Sequence, residues 1–170
     1  MNYSFSKNFK QTKNMKKLFL FILTVLTIGI SSSFAQTIDE EITMVQEAFG
    51  KDKKMIIEAF MELPETKAPS FWTVYEEYEA ERLTLGRERI KIINDYLETY
   101  SQLGEAEADA LANRSLKNDV ALTKLHSTYY KKFKKATSAL DAAKFLQIDT
   151  YIHNTIRNGM QQELPFIGEF

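Results

Sequence analysis

From residue 39 onward, apolar side chains recur every three or four positions. That is the period of a helix face, not the alternation of a strand. Ile42, Val45, Phe49, Ile56, Phe60 and Leu63 predict a helix from Asp39 to Met61, broken near Gly50. Asp39, Glu40 and Glu41 in its first turn suit the positive end of the helix dipole. A second helix is predicted from Lys67 to Tyr100, on the stripe Phe71, Tyr75, Tyr78, Leu85, Ile92, Ile93, Tyr96 and Tyr100. Thr66 is its expected cap, and Pro69 falls in the first turn, where no amide donor is missed. A third runs from Glu105 to Lys135, entered through Gly104 and buried along Leu111, Leu116, Val120, Leu122, Leu125, Tyr129 and Phe133. A fourth starts at Ser138-x-x-Asp141, a capping-box spacing. It buries Phe145, Ile148, Ile152 and Ile156 and stops at Asn158-Gly159.

The breakers agree with this reading. Prolines stand only at 64, 69 and 165, and residues 70–164 contain no proline and only three glycines. Proline inside a helix costs about 3 kcal/mol, so its absence permits long helices. About four residues separate the second helix from the third, so the two must form an antiparallel hairpin. The expected fold class is all-α, built of elongated antiparallel helical hairpins from about four helices. The tail Leu164-Pro165-Phe166-Ile167 is apolar and is expected to dock on the body or on a second chain.

Before residue 36 the pattern changes. Residues 1–35 hold five lysines and no acid. Met15-Lys16-Lys17 precedes an apolar run from Leu18 to Ile30, followed by Ser31-Ser32-Ser33-Phe34-Ala35. Charged, apolar and small-residue regions in that order form a secretory signal peptide. This run of thirteen residues falls short of the ~20 that a spanning helix needs. Cleavage is expected after Ala35, with 1–35 as N-terminal extension and signal and 36–170 as one helical domain. The expected location is the periplasm, with no membrane span after cleavage. Residues 36–170 then carry 17 basic and 23 acidic side chains, a net of −6.

Composition removes most chemistry. The chain has no cysteine and only two histidines, His126 and His153. Disulfides, thiolate metal sites and thiol catalysis are excluded. The di-iron pattern Glu-x-x-His fails twice, because Thr123 and Thr150 stand where the acid is required. Asp149 and His153, four residues apart, are placed to share a metal ion, but two ligands make a weak site and an exposed helix pair explains them more simply. Glu76, Glu77, Glu79 and Glu81 read as a solvated face. No phosphate loop, dinucleotide fingerprint or nucleophile elbow is present. The expectation is a protein that is not an enzyme and uses no cofactor or metal.

What remains is surface. Lys131, Lys132, Lys134 and Lys135 end the third helix, where cations complement the dipole and also attract acidic clients or anionic surfaces. Nucleic acid is not an expected partner of an exported acidic domain. Phe71, Trp72, Tyr75 and Tyr78 crowd the start of the second helix, with Arg82 and Arg89 further along the same stripe. These aromatics form a core, a dimer interface or a client-binding surface. A helix of about 50 Å is long for a domain of this size, which points to a homodimer.

The segment Leu63 to Glu76, LPETKAPSFWTVYE, resembles the entry motif of the Spy/CpxP superfamily, the exported helical proteins with the L-T-x-x-Q motif. Leu63, Ala68, Phe71, Trp72 and Tyr75 match by position, and Val74 keeps an aliphatic site. Pro64 replaces the usual threonine and Lys67 the usual acid or amide. The second motif falls at Ala139 to Ala143, followed by Phe145 and Gln147. The resemblance implies hairpins pairing into a thin, curved dimer. It also implies an ATP-independent chaperone that holds unfolded or partly folded envelope proteins. The alternative it implies is a stress sensor or adaptor that binds one signalling protein.

Overall fold

The computed structural model describes residues 35–169, and the signal-peptide reading of 1–35 lies outside the described residues apart from Ala35. The chain divides into two units, 1–45 and 46–170, and all the packing below belongs to the second. The fold is all-α. Helix α1 spans Ala35–Met61, α2 spans Ala68–Thr99, α3 spans Glu105–Ala136 and α4 spans Ala139–Gln162. A single tight turn, Tyr100–Gln102, follows α2.

Helix α1 begins earlier than its sequence signals suggest, so Asp39, Glu40 and Glu41 lie beyond its first turn. It also continues through Gly50 without a break. One glycine in a helix costs about 1 kcal/mol, which the packing of the flanking turns outweighs. Its inward face is also rotated. Ile57 and Met61 enter the core, Ile56 packs at the flank, and Phe60 is exposed. The cause is Lys53, one turn before Ile57, which is buried and turns that side of the helix inward.

Met61 is followed by Glu62 in the left-handed region, φ 48°, which ends the helix direction. The Pro64 carbonyl accepts from the amides of Lys67 and Ala68 at 2.9 and 3.0 Å. This turn places Lys67, not Thr66, at the cap of α2, and no side chain caps that end. Gly86 in α2 lets α1 come close, since a Cβ there would lie 3.3 Å from Gln46 Nε2. Gly104 caps α3 as its sequence implied, and Ser138 caps α4 by accepting from the Asp141 amide at 3.1 Å. Helix α4 runs past Asn158-Gly159 to Gln162.

Antiparallel pairing is visible in the cross-links. Glu77 meets Lys132, Glu81 meets Tyr129, and Glu88 meets Arg114 between α2 and α3. Between α3 and α4, Asp119 meets Arg157 and His126 meets Asp149. The core is aromatic. Phe133 packs tilted against Phe71 and Phe145 at ring distances of 5.0 and 4.2 Å, and Tyr78 adds edge contacts to Phe145 and Tyr129. Leu116 and Val120, expected in the core, are 63% and 69% exposed. They lie opposite Leu125, whose face is the one that meets α2. The tail docks on α2 through the Tyr96 hydroxyl, which donates to the Pro165 carbonyl at 2.7 Å, while Phe166 and Ile167 remain exposed.

Candidate functional site

The aromatic stripe of α2 turns inward. Phe71, Tyr75 and Tyr78 are buried within this one chain, so they offer no open surface for a client or a second copy. Trp72 stands at their margin. It packs edge-on to Phe71 and Tyr75 at 5.0 and 5.2 Å, and Lys54 sits 5.1 Å over its ring.

Beside the aromatics lies an ionic network that draws on all four helices. Lys53 of α1 places Nζ 2.7 Å from Glu79 Oε2 and 2.6 Å from Asp149 Oδ1. Arg82, one turn beyond Glu79 on α2, donates to both of its carboxylate oxygens at 2.6 to 3.1 Å. The Tyr78 hydroxyl donates to Asp149 Oδ2 at 2.5 Å. His126 Nε2 of α3 lies 3.1 Å from that hydroxyl and 3.2 Å from the same carboxylate oxygen. Two cations face two carboxylates, so the cluster is neutral as a unit. A buried charge is tolerated only when paired in this way.

These contacts fix the protonation states. Burial raises the Asp149 carboxyl, but the Lys53 charge and the hydrogen bonds from His126, Lys53 and Tyr78 outweigh it and hold the group well below the usual carboxylate range. Glu79 follows the same logic, with burial outweighed by Arg82 and Lys53. Burial and then the Asp149 charge push the Tyr78 hydroxyl far above its ordinary value. It is therefore neutral at physiological pH and is no nucleophile. His153, one turn beyond Asp149, is pulled down to about 4, first by burial and then by the Arg82 charge.

The sequence-level readings of these residues change accordingly. Glu79 belongs to the interior and not to a solvated acidic face. Asp149 and His153 are not an exposed pair, because Asp149 is committed to Lys53, Tyr78 and His126. Among the described residues, no three His, Cys, Asp or Glu side chains gather to hold a metal ion. Lys53 and Asp149 gave no sequence signal as a pair, since 96 residues separate them.

Arg82 and Arg89 are engaged inside the chain. Arg82 is tied to Glu79, and Arg89 donates to Ser115 Oγ at 2.7 Å beside the Asp119–Arg157 pair. They do not form one basic face with the lysines. Lys132 pairs with Glu77 at 2.9 Å and lies 4.2 Å over the Tyr129 ring. Lys131, Lys134 and Lys135 are exposed, the last two in the final turn of α3.

The outward side of α4 is different in kind. Leu140, Ala143, Gln147, Tyr151 and Asn154 are all exposed, and at helical spacing they share one face. None carries a charge. Leu140 and Tyr151 are 79% and 72% exposed. Lys144 at the edge of this face donates to the Met61 carbonyl at 3.2 Å. Among the described residues, no helix is long and apolar enough to cross a membrane. Comparison with known proteins gives no match: no family model, no curated protein and no solved structure matches this chain.

Proposed function

We propose that the chain is an exported, non-enzymatic holding protein of chaperone type, which keeps unfolded envelope proteins from aggregating. The observation that carries this reading is the uncharged outward face of α4, with Leu140 and Tyr151 standing in solvent. In a chain of which 26% is charged, such a face suits weak contact with many apolar segments. The paired, closed interior supports a binding role over catalysis, because the polar groups that resemble catalytic ones are consumed in holding helices together. The signal-like run before Gln36 and the likeness of Leu63 to Glu76 to the Spy/CpxP entry motif support export and the holding role.

The test is suppression of aggregation of two unrelated unfolding proteins by the chain isolated after export, with its N-terminus sequenced. Wild type should suppress both, and Leu140→Glu/Tyr151→Glu should lose most of that effect while keeping its helix content. Failure with both clients, joined to tight binding of a single folded protein, would make it an adaptor instead.

A further inference from the structure

The outward face of α3 carries a second pattern, independent of the holding reading. From Val120 to Leu140 the sequence contains no acid, although the chain has 23. Lys117, Lys124 and Lys131 stand seven residues apart and are all exposed. Seven residues drift only about 20° around a helix, so the three form one row. Lys134 and Lys135 extend it to the end of α3. The row is about 27 Å long at 1.5 Å per residue.

None of these five lysines has an ion-pair partner among the described residues, whereas Lys67 and Lys132 each have one and Lys53 has two. Residues three or four away, where an exposed helix usually places a partner acid, are here uncharged or basic. Beside the row lie Leu116 and Val120, two aliphatic side chains of α3 that stand outside the core. Apart from these five lysines, residues 36–170 hold 12 basic and 23 acidic side chains. One row of positive charge therefore stands on an otherwise strongly negative domain, with Glu81 of α2 lining the same groove as Lys124.

We infer that this face of α3 docks on the surface of an anionic phospholipid bilayer. Lysine is a compact point charge on a flexible stem, suited to phosphates whose positions vary, whereas a folded acidic partner would favour the rigid fork of arginine. A straight row on an outward helix face meets a plane along its whole length. The acidic remainder is repelled by the same plane, which fixes the orientation with α3 facing lipid. Leu116 and Val120 reach the headgroup level next to the lysines. The contact is peripheral and needs no spanning segment.

Vesicle co-sedimentation decides the matter. Phosphatidylcholine vesicles with about one third phosphatidylglycerol are compared with phosphatidylcholine alone, at low and physiological salt. The chain isolated after export should bind only the anionic vesicles and should weaken as salt rises. Replacing Lys117, Lys124, Lys131, Lys134 and Lys135 by Gln should reduce partitioning by about a hundredfold or more, with unchanged helical circular dichroism. The five-fold Lys→Arg variant keeps the charge and should keep the binding, which covers the case of a misfolded Gln variant. Any N-terminal residues are common to all forms and cancel. Equal binding of the Gln variant, equal binding to neutral vesicles, or binding of polyglutamate with neglect of both vesicles would each overturn the proposal. The last result would point to an acidic polypeptide.

Discussion

Lys53 is an amine buried beside the aromatic core, and its side chain holds three helices at once. Its Nζ meets Glu79 on α2 and Asp149 on α4 while its own backbone belongs to α1. Lys53→Met should destabilise the fold by about 3–5 kcal/mol, because it leaves the Asp149 carboxylate buried without its cation. Urea unfolding of the two forms measures this. The Tyr75 hydroxyl is the opposite case, buried with no hydrogen-bond partner among the described residues. Tyr75→Phe removes a desolvated donor and should raise stability by about 1 kcal/mol. Acid should act through His153. Its folded value of about 4 lies below its ordinary 6.5, so between those values the unfolded chain binds a proton that the folded chain does not. Stability therefore falls as pH drops through this window. Below it, protonation of Asp149 and Glu79 removes more, since both are held below their ordinary range. The urea midpoint measured from pH 7 to pH 3 should decline in both ranges, and His153→Gln should flatten only the upper one.

The elements themselves were largely legible in the sequence. Helical period, sparse proline and the signals at Gly104 and Ser138 place α2, α3 and the start of α4 within a residue or two. What periodicity does not resolve is which of two adjacent stripes faces in. In α1, Ile56/Phe60 and Ile57/Met61 are equally apolar, and the choice falls to the second pair because Lys53 lies on its side of the helix. Likewise Leu116 and Val120 resemble core positions until the partner helices of α3 are known. The ionic network was not legible at all, because a buried charge is recognised only by partners that the fold brings from elsewhere in the chain. Gly50 tests the continuity of α1 directly. A Cβ there meets nothing within 4 Å, so Gly50→Ala should stabilise the protein by about 0.5–1 kcal/mol. Thermal unfolding followed by circular dichroism would show it, and a loss of stability would mean that the helix bends at that point.

Across residues 46–170, surfaces and interior divide the work. The interior is closed by aromatic stacking and paired charge, and the outward sides of α3 and α4 carry the features that look unspent within the chain: a lysine row on one, an uncharged face on the other. The tie made by Lys53 has a dynamic consequence. A helix held only by greasy contacts can peel away alone. To release α1, however, the Lys53 amine must leave two carboxylates that belong to α2 and α4, and their interior then holds uncompensated negative charge. Opening of α1 alone is thereby penalised, which couples it to opening of the bundle. Native-state hydrogen exchange should show the amides near Lys53 and Ile57 exchanging with the same free energy as those around Phe133 in α3, so that the end of α1 and the centre of the bundle open as one cooperative unit.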